Sequence, residues 1–351
     1  MKQSIRHTEV EVSGAAVTAA PAPAPVVAAA PVPAPADGWG TLVPKGASFE
    51  PVFVWLTRLA AILVMLVLAG ICAVLLVESL PALRAFGPSF LLSSSWNPVT
   101  VKFGALAPIY GTVMTSVIAM CIGVPLALGS ALFLTELCPH KLRGVLGSAI
   151  DLLAAVPSII YGMWGLFVLA PFMATYVQPF LIKYAGPIPY FGALFRGAPY
   201  GIGIFTAGLI LGLMVLPFIA SVSRQVFATM PAVLREAAYG VGATRWEFSL
   251  RVLIPYARSG LFGAIMLGLG RALGETMAVT FVVGNAHRIA VSLFKPGTTI
   301  SATLANEFTE AVGDVYLSSL LALGLLLFLI TFVVLFVARY MLRRIGGKVS
   351  A

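Results

Sequence analysis

Residues 235–255 read REAAYGVGATRWEFSLRVLIP, and residues 256–285 read YARSGLFGAIMLGLGRALGETMAVTFVVGN. The first run is charged and amphipathic: Arg235, Glu236, Arg245, Glu247 and Arg251 interrupt the apolar groups, and Gly240 and Gly242 divide it. The second holds an apolar helix, roughly Ser259 to Gly284, with two charges in its middle, Arg271 and Glu275. Ionisable groups at membrane depth are costly and usually face a partner or a water-filled path. One stretch therefore combines a surface suited to a soluble partner with charge set inside a lipid-spanning helix.

Composition agrees with a membrane setting. Of 351 residues, 60% are hydrophobic and 10% charged, and the mean hydropathy is +1.00. A soluble domain carries about 25% charged residues and needs them on its surface, so the chain is an integral membrane protein. The formal net charge of +9 is read as topology and headgroup contact, not as nucleic-acid binding. Cys72, Cys121 and Cys138 lie in or beside apolar runs without metal-ligand spacing, so neither a disulfide framework nor a zinc site is indicated.

Six apolar runs are long enough to cross a bilayer, which takes about 20 residues: Val52–Val77, Pro108–Leu134, Gly147–Pro171, Tyr200–Ser223, Ser259–Gly284 and Tyr316–Leu342. None alternates as a barrel strand does, so the expectation is an all-α protein with six transmembrane helices. With the amino terminus inside, fifteen of the 22 Lys and Arg residues fall on the cytoplasmic side and six outside, the last being Arg271 within a span. That bias places both termini in the cytoplasm.

Residues 1–50 differ in kind. Ala15 to Ala36 is almost wholly Ala, Pro and Val, a composition that favours extended polyproline over a helix. The expectation is a disordered cytoplasmic tail, or a docking tether, with no signal peptide. The outer loops Glu78–Ala107 and Phe172–Pro199 are rich in Pro, Gly and aromatic residues. They suit membrane-interface anchoring or an outside partner. Gly208/Gly212 and Gly270/Gly274 have the spacing that lets helix backbones approach closely. Pro157 and Pro217 are candidate kinks. His7, His140 and His287 are scattered and read as surface residues, and Asp151 as a cap or a partner of Arg143.

Residues 224–258 read as a compact knob in water. Met230–Pro231 starts a helix, Ala232 to Tyr239 continues it, and Gly240 and Gly242 stop and turn the chain. Thr244 to Val252 forms a second short helix with Trp246 and Leu250 on one face, and Pro255 ends it. Gly242 is expected to need a positive φ or close approach to a partner.

The spacing within this knob resembles a known pattern. Glu236-Ala237-Ala238, three residues, Gly242, nine residues, then Val252, one residue, Ile254-Pro255 is similar to the EAA loop of bacterial ABC importer permeases, with Val and Ile where that family has Ile and Leu. Leu152 to Gly165, Ile109-Tyr110-Gly111-Thr112 and above all Gly268 to Val279 resemble the phosphate-specific permeases of the PstC type. The likeness covers about Trp96 to Arg344.

It implies a type I ABC importer permease fold, with residues 51–107 as the first transmembrane helix and periplasmic loop. Residues 108–342 would be the transmembrane domain, with the coupling loop at 224–258, and residues 343–351 a cytoplasmic tail. It implies as partners a second homologous permease subunit, a pair of ATPase subunits, a periplasmic phosphate-binding protein and membrane lipid, in a bacterial inner membrane. Glu236, Ala237, Ala238, Gly242, Ile254 and Pro255 would couple to the ATPase, and Arg271 and Glu275 would lie on the phosphate path. No Gly-x-x-x-x-Gly-Lys-Ser/Thr loop is present, so ATP is expected on the partner and the chain itself to be no enzyme and to hold no cofactor. Sulfate or molybdate import is the nearest alternative. An ion-coupled carrier using Glu275 as a proton site is a further one, which would have no need of an ATPase-docking loop.

Residue spacing makes its own statement about Arg271 and Glu275. Arg271 lies on the order of 20 Å along a helix from Ala257, and four-residue spacing would place the two groups on one face, roughly 5–6 Å apart at Cβ. They would then form either a self-neutralising ion pair or an anion site in which Arg271 attracts and Glu275 moderates.

Overall fold

The computed structural model describes residues 50–346, so the Ala/Pro tail and the last five residues lie outside it. The described residues divide into two units between Val64 and Met65. The described part of the first is the opening of a helix. Among the described residues there is no strand, only an isolated bridge between Asn97 and Lys102.

Among the described residues, six helical runs are long and apolar enough to cross a membrane: Pro51–Phe86, Leu106–Leu137, Ser158–Tyr184, Ile204–Ala228, Arg245–Leu273 and Asp314–Leu342. The expected number of spans is present, but two are displaced. The third begins after Pro157, whose extended backbone (ψ 137°) separates it from an amphipathic helix, His140–Ala154. The expected span Gly147–Pro171 joined parts of both, because Leu152 to Val156 before Pro157 and Ile159 and Ile160 after it are all apolar. The same displacement carries helix to Tyr184, into what reads as an outer loop.

The fifth span is also two pieces. Its long helix starts at Arg245 and runs through Pro255 to Leu273, and a separate half-helix, Met277–Val283, follows. Pro255 does not end a helix as expected. It sits two residues beyond the end of a π-turn, Ser249–Leu253, where the ladder is already widened and its missing N–H is tolerated.

The fourth span is the axis of the core. Ile210, Leu211, Met214, Val215 and Ile219 are buried on it, and Met173, Val279, Val282 and Val283 pack around them. Its closest neighbour is the second span, and small residues allow the approach. A Cβ on Gly212 would lie 3.0 Å from the Ala119 carbonyl oxygen, and one on Gly123 would lie 3.1 Å from that of Gly212. The close-packing expectation holds for Gly208/Gly212. It does not hold for Gly270/Gly274: Gly270 meets only the Leu335 side chain of the sixth span, at an ordinary 3.5 Å and with no close backbone, and Gly274 terminates the helix. Along the first span from Met65 to Val77 most large apolar groups are exposed, as on a lipid-facing helix.

Polar groups clasp the end of the bundle remote from residues 224–258. Trp96 Nε1, His287 Nε2 and Tyr316 Oη all bond the Glu307 carboxylate, at 2.6, 2.7 and 2.7 Å, and the Trp96 ring stacks on His287 at 5.2 Å. His287 is thus largely buried rather than a surface residue. The Asp151 expectation needs correcting as well. Asp151 pairs with Arg224 and accepts from Ser221, both at 2.7 Å, while Arg143 donates to the Thr135 carbonyl at 2.6 Å.

Gly212→Val is expected to cost about 1–3 kcal/mol by overpacking the seam, read as a lower melting temperature in detergent. Gly129→Ala, with open space around its Cβ, should be neutral or slightly stabilising; equal effects would contradict the close approach.

Burial pushes the Glu307 carboxyl up, but the bonds from His287, Tyr316 and Trp96 outweigh it and hold it below the ordinary range. A depressed carboxylate stabilises the fold above about pH 4.3 and loses that contribution as pH falls through its folded-state value. Glu307→Gln should therefore cost about 1–3 kcal/mol near neutral pH, with the gap to the parent closing in acid. Melts at both pH values check this, and a gap that widens in acid would refute it.

Candidate functional site: the polar knob and the break in the fifth span

The knob begins at Pro231, from which Ala232–Gly240 runs as an amphipathic helix. Val241, Gly242 and Ala243 turn the chain, with their N–H groups bonded back to the Ala237, Tyr239 and Ala238 carbonyls at 3.2, 3.0 and 3.1 Å. Gly242 has φ +87° and open space around its Cβ. The expected need for glycine is therefore met by the left-handed backbone and not by crowding within this chain. Thr244 then caps the next helix. Its side chain accepts from the Glu247 N–H while the Glu247 carboxylate accepts from the Thr244 N–H, a reciprocal capping box.

Phe248 plugs the knob from below. It is fully buried with Leu253, and they join Phe227, Met230 and Ala131 in one apolar cluster. The Tyr239 ring and the Arg235 guanidinium lie over Phe248, at 5.1 and 5.6 Å. Arg235 also pairs with Glu136 at 2.9 Å, and the Glu136 side chain is only 4% exposed. Sequence reasoning missed that pair. The available signal was a lone acid at the end of the apolar second run, which needs a cation close by.

Among the expected coupling residues, Glu236, Ala237, Gly242 and Pro255 are exposed, while Ala238 and Ile254 are half-buried against the cluster. Val233, Val241 and Trp246 stand out at 72, 86 and 72% exposure. The helix from Arg245 to Leu273 has 29 residues, about 43 Å, and outruns a hydrocarbon core of about 30 Å. Its first turns, and the knob with them, therefore project into water.

The break is the second feature. The long helix ends at Leu273 with Gly274 as its cap, and Thr276 precedes the half-helix. Arg271 and Glu275 consequently do not share one helical face, as unbroken four-residue spacing would require. Among the described residues Arg271 forms no ion pair. It is exposed, with its guanidinium 5.6 Å from the centre of the Phe218 ring. The Glu275 carboxylate turns onto the half-helix and accepts from the Ala278 N–H at 3.3 Å. Its charge meets the half-helix's start, where free N–H groups favour an anion.

Two motifs noted for their family likeness hold this region in place. Gly162 in the third span lies under the half-helix: a Cβ there would sit 3.1 Å from the Ala278 Cα. From the second span, Tyr110 Oη donates to the Ala290 carbonyl at 3.1 Å, and Thr112 Oγ1 accepts from the Ile300 N–H at 2.9 Å. Gly111 packs flush on the Thr298 carbonyl.

The family described as the binding-protein-dependent transport system inner membrane component matches residues 123–347. The phosphate transport system permease protein PstC of Mesorhizobium japonicum is 60% identical over 309 residues, covering 88% of this chain and 94% of that protein. That of Pasteurella multocida is 53% identical over 299 residues, covering 85% and 93%. Among solved structures, a chain of the bacterial alginate ABC transporter in complex with its alginate pentasaccharide-bound periplasmic protein superposes with a TM-score of 0.56. It is 16% identical and covers 86% of this chain and 98% of that one, a likeness of fold alone. The fold is that of an ABC importer permease, and the chain belongs to the binding-protein-dependent transport system inner membrane components and, within them, to the PstC permeases.

Proposed function

We propose that this chain is the transmembrane permease subunit of an ATP-driven importer that moves inorganic phosphate across the bacterial inner membrane, with both termini in the cytoplasm. The observation that carries this reading is identity of 50–60% to phosphate permeases of several bacteria over most of the chain. As a permease it is a transport subunit and not an enzyme; ATP hydrolysis belongs to a separate pair of ATPase subunits. A second, homologous permease and a periplasmic phosphate-binding protein complete the proposed assembly. An ion-coupled carrier would leave the exposed apolar groups of the knob without a purpose.

In this reading Glu236, Ala237, Ala238 and Gly242, with Ile254 and Pro255 at the root of the knob, couple it to the ATPase. ATP binding draws the ATPases together, the knobs move with them, and the packed helices rearrange as rigid bodies. The buried Phe248 and the Arg235–Glu136 pair support transmission, because they tie the knob to the second and fourth spans. Arg271 attracts the anion with a charge that it does not spend on Glu275. Glu275 keeps the local potential from trapping the ion, and it accepts a hydrogen bond from the protonated oxygen of hydrogen phosphate, which sulfate lacks.

Uptake of radiolabelled phosphate by cells with this chain as their sole permease of the type should be competed by phosphate and not by sulfate or molybdate. Competition by sulfate at equal concentration would reassign the cargo. Gly242→Val should lower uptake more than tenfold with normal membrane insertion, while Gly242→Asn keeps most of it, because Asn tolerates the left-handed region. Equal uptake by the two variants would remove the backbone argument.

Arg271→Gln should abolish uptake without loss of assembly, and Arg271→Lys should restore it poorly, since an ammonium lacks the planar fork. Parental rates in both Arg271→Gln and Glu275→Gln would show that neither residue serves the path.

A further inference from the structure

We infer that a cavity at the end of the bundle opposite the knob is an anion-receiving vestibule, built from Arg196, Arg288 and Lys295. This rests on the reading of the chain as an oxyanion permease and extends it to the mouth of the path.

The cavity measures about 920 Å³, and among the described residues Arg196, Arg288 and Lys295 are the charged ones that line it. All three are exposed, and none forms an ion pair among the described residues. Glu307, bonded to the His287 that precedes Arg288, spends its carboxylate on His287, Trp96 and Tyr316. Position follows from the fourth span. Gly203, just before its start, abuts the Phe294 and Lys295 carbonyls, and its far end, at Phe227, lies under the knob. Those 25 residues separate the two by about 37 Å.

The walls are fixed. Arg196 Nε donates to the Gly186 carbonyl at 3.0 Å. Ala286 N–H bonds the Gly297 carbonyl, Leu293 N–H that of Leu194, and Phe205 N–H that of Leu293, each at 2.9 Å, and Tyr110 holds Ala290. Gly284, which closes the half-helix, also lines the cavity. From there Glu275 lies nine residues back, on the order of 13 Å at helical rise. A low-dielectric concavity lined by one sign of charge concentrates the opposite ion. At this volume the anion keeps much of its water, so the vestibule gathers oxyanions weakly, without selecting among them, and passes them towards the break.

The test compares the parent with a triple variant, Arg196→Gln, Arg288→Gln, Lys295→Gln, and with a charge-keeping one, Arg196→Lys, Arg288→Lys, Lys295→Arg. Phosphorus NMR line broadening of inorganic phosphate, on the full chain in zwitterionic nanodiscs at low salt, should show weak binding to the parent and the charge-keeping variant. The neutral variant should lose most of it. Parent and neutral variant broadening phosphate alike, or neither broadening it, would overturn the inference, whatever the cargo proves to be.

In the reconstituted importer the neutral variant should have a several-fold lower maximal rate at saturating binding protein, with an unchanged half-saturating concentration of that protein. The charge-keeping variant should recover the rate. A raised half-saturating concentration at an unchanged maximal rate would mean that the cations dock an acidic protein surface, and would overturn the proposal. If the parent imports sulfate in place of phosphate, the cargo reading fails while loss of phosphate broadening in the neutral variant still supports the vestibule.

Discussion

A helix that stops inside a membrane leaves backbone groups that lipid cannot satisfy, so it survives only where protein surrounds it. The break at Gly274 to Thr276 imposes that demand here, and much of the surrounding packing answers it. Gly162 lets the third span lie directly against the half-helix. Val279, Val282 and Val283 bury their side chains against the fourth span, and Glu275 supplies a bond to the Ala278 N–H. At the other end Gly203 N–H bonds the Val282 carbonyl at 2.8 Å and Gly297 N–H that of Val283 at 2.9 Å. The break separates Arg271 from Glu275, so that one charge is left for something other than the other.

The knob obeys a different constraint with the same result, a fixed position. A left-handed turn at Gly242, a capping box at Thr244 and an aromatic plug at Phe248 tie two short helices into one body. Because the second of these helices continues through Pro255 into the fifth span, displacement of the knob acts directly on the helix that ends at the break. The proposed coupling surface is thereby joined to the helix that carries Arg271, one half of the proposed anion site.

That continuity was only partly legible in the sequence. Hydropathy shows where apolar residues lie, and so the six spans and the water-exposed loop could be read from it. The Gly242 backbone could be read too, because glycine spacing in a polar turn carries a physical meaning. The break at Gly274 could not, since a lone glycine in an apolar run is equally a packing residue, and the run stays hydrophobic through Val283. Likewise the apolar residues on both sides of Pro157 disguised a helix end as the middle of a span. Proline was misjudged twice in opposite senses, because its effect depends on whether the preceding ladder is already widened, as at Pro255. The Arg235–Glu136 and His287–Glu307 pairs join residues distant in sequence; local pattern marks Glu136 as an acid in need of a cation but not which cation meets it.

Power delivered from outside the chain is the central claim, and proteoliposomes test it most directly. Vesicles holding this permease with the proposed second permease, ATPase pair and binding protein should accumulate radiolabelled phosphate only when ATP is present on the ATPase side. An imposed proton or sodium gradient without ATP should produce no accumulation. Uptake driven by such a gradient in the absence of ATP would contradict the account and make the chain a self-powered carrier.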